Sequence, residues 1–174
     1  MILSKSLKHG WYYYYKLHKE TLDELDTNGY TELKSFLLKV RQRENRPEPR
    51  FTEGPRSSQT ELPLDIPTES TVAMEIPVWF KSPPESIPGS EYLTGHIDLL
   101  RIEDDTIWVW DYKPKAHLEE NATTQTLLYA LMLSDCTDIP LSHFKCGYFD
   151  QQNAYIFEPK GVTNKLTERL THQT

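Results

Sequence analysis

The text YLTGHIDLLRIEDDTIWVWDYK, residues 92 to 113, restricts the fold more than any other stretch, because it reads as two β-rich runs joined by the polar turn Glu103-Asp104-Asp105-Thr106. With Asp104 and Asp105 as the central turn residues, Glu103 faces Thr106. Counting outward sets Ile102 opposite Ile107, Leu100 opposite Val109 and Asp98 opposite Asp111. Strand side chains alternate, so His96, Asp98, Asp111 and Lys113 share one face with Leu100, Ile102, Ile107 and Val109, while Trp108, Trp110 and Tyr112 lie on the other. One face is then apolar near the turn and ionisable at the far end. A turn of odd length would shift the register by one and separate the two acids.

Directly opposed side chains stand roughly 5 Å apart, where two carboxylates repel by about 3 kcal/mol at an effective dielectric of about 20. A divalent cation offsets this most directly. Mg²⁺ prefers carboxylate oxygens, keeps several waters and can bridge both acids to a substrate phosphate. The backbone carbonyl of Tyr112 is a further candidate ligand. Lys113, two residues along the same face, can position or help deprotonate an attacking water and balance charge growing on phosphate oxygens. Asp98, Asp111 and Lys113 also read as a solvated ion cluster without catalysis, and the hairpin alone leaves both readings open.

The next segment favours the first. Leu118 to Ser134, LEENATTQTLLYALMLS, is a helical run in which Gln125 and Tyr129 stand at i and i+4, with Leu128 and Leu131 to Leu133 supplying much of the buried surface. Gly95-His96-Ile97-Asp98, Asp111-Tyr112-Lys113 and Gln125-Thr126-Leu127-Leu128-Tyr129 then follow one another as G-x-x-D, D-x-K and Q-x-x-x-Y. In this the chain resembles the RecB-like branch of the PD-(D/E)XK nuclease superfamily. Three motifs in order are far more specific than one, although residues 95 to 129 make up only about a fifth of the chain.

The resemblance implies an α/β (α+β) fold, a restriction-endonuclease-like αβββαβ core with a mixed central sheet flanked by helices. It implies that Asp98 and Asp111 bind Mg²⁺ or Mn²⁺, that Lys113 is catalytic, and that Gln125 and Tyr129 support the site or guide a DNA strand. Glu75 matches an acidic position often found upstream of G-x-x-D; its other reading is a solvent-facing strand residue. Relatives often carry a further ligand on the first helix. Glu32 and His18 are the available side chains, with no motif around either. The cysteine set of the iron-sulfur members, among them CRISPR-associated exonucleases, is missing.

Elsewhere the chain says less. In SKSLKHGWYYYYKLH, from Ser4 to about His18, Trp11, Tyr15 and His18 share a helical face, fit for base stacking or, more commonly, for burial. Tyr30 to Arg43 places Leu33, Phe36, Leu37 and Val40 on one helical stripe with basic residues at its C-terminal end. Five prolines between Pro47 and Pro67 mark an extended loop. The basic run Lys39, Arg41, Arg43, Arg46, Arg50 and Arg56 fits either a phosphate-backbone contact or a solvated helix end.

From Thr71, TVAMEIPVWF reads as a strand, followed by the turn-rich KSPPESIPGS. His143 to Asp150 and Asn153 to Glu158 form a hairpin across Gln151-Gln152, and KLTERLTHQ is a short polar helix or tail. His143 and His172 read as surface or packing residues. One domain is expected over residues 1–174, with N-terminal helices over 1–46, a loop over 47–70, the catalytic core over 71–160 and a C-terminal helix or tail over 161–174.

A net charge of -7 argues against a surface that is basic throughout, so contact with nucleic acid must be local. Cys136 and Cys146 alone support neither a zinc finger nor an iron-sulfur cluster and read as core thiols. No apolar run is long enough to cross a bilayer and the opening residues lack a secretory apolar region, from which a cytoplasmic protein is expected.

The leading reading is a Mg²⁺-dependent deoxyribonuclease acting on single- or double-stranded DNA. The alternatives are a catalytically inactive nucleic-acid-binding or assembly module on the same fold, and an enzyme acting on RNA or a small nucleotide. No P-loop or helicase motif is present, so any unwinding would come from a helicase or other DNA-processing partner. Endonuclease or exonuclease action and oligomeric state are left open.

Overall fold

Asp104 and Asp105 adopt left-handed backbone, with φ of 46° and 56°. Two successive residues of that kind make the tight turn whose twist matches a pair of antiparallel strands. They join β3 (Thr94–Glu103) to β4 (Thr106–Tyr112), with Glu103 paired to Thr106, Ile102 to Ile107 and Leu100 to Val109, the register expected from the sequence. In this computed structural model the described residues are 16–17, 19–44, 70–85, 87 and 89–161.

The other elements are β1 (Lys16–Leu17), α1 (Lys19–Thr27), α2 (Thr31–Glu44), β2 (Thr71–Trp79), α3 (Ala122–Thr137), β5 (Phe144–Phe149) and β6 (Ala154–Phe157). All six strands form one sheet in the order β1-β2-β3-β4-β5-β6. Neighbours are antiparallel except β4 and β5, which run parallel and are bridged by the α3 crossover. The run α2-β2-β3-β4-α3-β5 is the αβββαβ core expected from the resemblance.

The stripe Leu33, Phe36, Leu37 and Val40 is buried as its spacing requires. Helix α2 packs against α1, α3 and β2, with the Phe36 ring 5.8 Å from that of Trp79. Leu22 and Leu25 bury α1, whose nine residues carry too short an apolar pattern to stand out in the sequence. Helix α3 covers β2 to β5 and adds Tyr129, Ala130, Met132 and Leu133 to the core shared with Leu100, Ile107, Val109 and Cys146. Leu128 and Leu131 are only partly buried. At the turn end of the hairpin, the Tyr30 hydroxyl donates to the Asp105 carbonyl and stands 3.2 Å from His143 Nδ1. Exposed His143 is thus a packing residue.

Three expectations change. Helix α3 begins at Ala122 rather than Leu118, because Ala116–Leu118 forms a separate 3-10 turn that leaves Leu118 exposed. It runs on to Thr137 and stops where Asp138 turns left-handed, with φ of 58°. The aromatic helix expected up to His18 does not include Lys16 and Leu17, which pair with Met74 and Ala73, a long-range contact that local periodicity cannot reveal. The rest of that helix, the proline-rich loop, Arg46, Arg50 and Arg56 of the basic run, His18, His172 and the segment KLTERLTHQ lie outside the described residues. Cys136 is partly buried and Cys146 fully buried. Among the described residues no helix is long and apolar enough to cross a membrane.

Candidate active site

The β3–β4 ladder is paired as far as Leu99 and Trp110; one step beyond, the same register sets Asp98 opposite Asp111. There the Asp98 carboxylate accepts the Tyr112 backbone N–H at 2.7 Å, which fixes its orientation. Asp111 follows Ile107 and Val109 on the buried face of β4 and is itself only 2% exposed. Its Oδ2 is sealed from water and stands 2.7 Å from Lys113 Nζ. Strand alternation therefore delivers two acids and one ammonium to the far end of an otherwise apolar face.

Burial, reinforced by the Asp111 charge, pushes Asp98 up to about 7. Burial also raises Asp111, opposed by the hydrogen bond and charge of Lys113. The two acids are in contact and Lys113 sits against Asp111, so the protonation of each acid depends on the other. Glu75 belongs to the same row. The pairings of Met74 with Leu99 and Ile76 with Ile97 set it opposite Asp98, and burial together with the Asp111 charge raises its carboxyl. It is a half-buried acid facing the pair rather than a solvent-facing residue, and its φ of 56° departs from strand geometry. Glu32 is exposed in the first turn of α2.

The glycine of G-x-x-D and the tyrosine of Q-x-x-x-Y meet. A Cβ built on Gly95 would lie 2.2 Å from Tyr129 Cε1, so only glycine lets the ring lie against β3. The Tyr129 hydroxyl receives hydrogen bonds from Gln125 Nε2 and from the His96 backbone N–H. Burial pushes the hydroxyl up to about 12, with Asp111 and Asp98 contributing through their charge. The motifs thus converge: Tyr129 ties α3 to the start of β3, three residues from Asp98. Gly95→Ala is expected to cost about 1–3 kcal/mol of folding stability by overpacking, measured by urea denaturation.

A family model described as the PD-(D/E)XK nuclease superfamily matches residues 13–173. The chain belongs to the PD-(D/E)XK nuclease superfamily. Searches of curated proteins and of solved structures returned no significant match. Members of this superfamily typically use divalent metals, and the residues present fit one. Asp98 and Asp111 offer hard oxygen donors, and Asp111 Oδ2, cut off from water with one ammonium against two carboxylates, is a place where a further cation would stabilise what desolvation penalises. Among the described residues no three His, Cys, Asp or Glu side chains stand close enough to hold a metal by themselves.

Sequence reasoning missed two participants in this PD-(D/E)XK site. His96 contributes a backbone N–H, which no side-chain pattern reports. Its imidazole is partly buried, which lowers it to about 4 and leaves it neutral at pH 7. Glu119, exposed in the turn before α3, adds negative charge near Asp111. Its place six residues after Lys113 was the available signal.

Proposed function

We propose that the protein is a metal-dependent nuclease that hydrolyses DNA phosphodiester bonds, and that it falls in the RecB-like branch of its superfamily. The observation that carries this is the pairing of partly buried Asp98 with buried Asp111, with the Lys113 ammonium 2.7 Å from Asp111 Oδ2. Asp98 and Asp111, with the Tyr112 carbonyl, would hold Mg²⁺ or Mn²⁺, and Glu75 is the adjacent third acid. When bound, the ion supplies the positive charge the acid pair lacks and the Lewis acidity that phosphodiester hydrolysis needs.

The chain's own residues do the rest. The Tyr112 N–H orients Asp98. Lys113, with 17% of its side chain exposed, can donate to a water or a phosphate oxygen while its stem stays packed. Gln125 and Tyr129 hold the start of β3, and Gln125, the more exposed of the two, is the one placed to guide a DNA strand. The three motifs in order support the branch, and the acidic net charge agrees with a substrate held locally rather than over the whole surface.

The test is incubation with labelled single- and double-stranded DNA in Mg²⁺ or Mn²⁺, with and without EDTA, read on a denaturing gel. Metal-dependent cleavage is expected. No cleavage of either substrate, with no metal binding by calorimetry, would replace this reading with that of a non-catalytic nucleic-acid-binding or assembly module.

A further inference from the structure

We infer that Asp150 is a positioning residue that holds Lys113 against the acid pair through the backbone of the Lys113–Ala116 segment. The inference rests on the nuclease reading only for what Lys113 then does to substrate.

Lys113 lies one residue beyond the end of β4. Its N–H donates to the Phe149 carbonyl at 2.8 Å, which extends the β4–β5 ladder past the Tyr112–Phe149 pair and brings Asp150 alongside. Pro114 follows and has no N–H to continue the ladder. The chain is caught again at Ala116, which is 2% exposed and donates its N–H to Asp150 Oδ2 at 2.9 Å. Lys113 is therefore bracketed by two anchors on adjacent residues, Phe149 at the end of β5 and Asp150 just beyond it.

The anchor is itself held. Asp150 Oδ1 accepts the N–H groups of Gln152 at 2.8 Å and Asn153 at 2.7 Å, with Asn153 Nδ2 at 3.3 Å. His117 Nδ1 stands 3.8 Å from Oδ2, and the Asp150 side chain is only 8% exposed. Both oxygens are thus used: one ties down the β5–β6 turn, the other the segment after Lys113. Backbone N–H groups bonded to a carboxylate are strong, short-range fixings.

Asp150→Ala is expected to speed hydrogen exchange at the Lys113 and Ala116 amides and to lower kcat on DNA with Mg²⁺ by about 10- to 100-fold, the scale set by misplacing a reacting group by about 1 Å. The KM for DNA and the Mn²⁺ affinity are expected to stay near wild type. Asp150→Asn, which keeps one acceptor oxygen, should recover part of the rate. Asn153→Ala, which leaves the Ala116 bond in place, should keep the wild-type kcat. If Asp150→Ala does not fold, Asp150→Asn carries the test, with a smaller fall in kcat and a smaller rise in Lys113 exchange expected, and no change in either overturning the inference.

Unchanged exchange at Lys113 in the folded variant, or a wild-type kcat with only a lower Tm, would overturn the inference. Absence of cleavage by wild type would overturn the nuclease reading instead, and exchange at Lys113 would still decide whether Asp150 positions it.

Discussion

Replacing Lys113 with methionine is expected to lower the rate of DNA cleavage by about 10²- to 10⁴-fold, the range a positioned proton-transfer or charge-stabilising group commonly contributes. Methionine keeps much of the apolar stem, so packing changes little and the lost ammonium dominates. Without metal the same change removes the ionic partner 2.7 Å from Asp111 Oδ2, on a side chain that is only 3% exposed. Breaking a buried pair from one side costs about 3–5 kcal/mol, part of which protonation of Asp111 relieves. The variant should therefore melt well below wild type without metal and gain more from Mn²⁺ than wild type does. Single-turnover cleavage and melting curves with and without Mn²⁺ give both readouts. A wild-type rate would remove Lys113 from the chemistry.

The second large effect is in pH. Asp98 ionises at about 7 in the folded protein and at about 4 when unfolded, so folding takes up a proton between those values. Its contribution to metal-free stability is fully present below about pH 4 and is lost as pH rises through about 7, by about 4 kcal/mol at most. Mg²⁺ should reverse the trend, because ionised acids bind it and protonated ones do not. Asp98→Asn removes the titrating group while retaining an acceptor for the Tyr112 N–H, so the metal-free variant should lose this pH dependence and its response to Mg²⁺. Urea denaturation at pH 5 and pH 8 is the measurement. A wild-type protein equally stable at both would mean that burial does not hold a proton at Asp98.

Much of this site was readable because the β3–β4 hairpin is local. A two-residue turn and strict alternation are enough to carry Asp98 opposite Asp111 and Lys113 onto the same face. The αβββαβ order was legible through the resemblance, since the apolar runs of β2, the hairpin and α3 mark those elements in that order.

What was not legible depends on distant contacts or broken alternation. Glu75 could not be assigned a face from the sequence, because a register shift between Thr71 and Ala73 and its own positive φ interrupt the pattern on β2. The seat of Tyr129 on Gly95 joins residues brought together only by α3 packing on the sheet. The Asp150 anchor lies across a parallel pairing that requires the whole α3 crossover. Local text also misplaced the start of α3, since residues 116–121 combine helical composition with a 3-10 turn.

The central claim is that Asp98 and Asp111 form a divalent-metal site, and calorimetric titration of Mn²⁺ at pH 6, in two buffers of different ionisation enthalpy, tests it most directly. Wild type is expected to bind with release of about one proton per ion, the proton shared by the acid pair, and Asp98→Asn and Asp111→Asn are expected to lose binding. No binding by wild type, or binding unchanged in both variants, would contradict it.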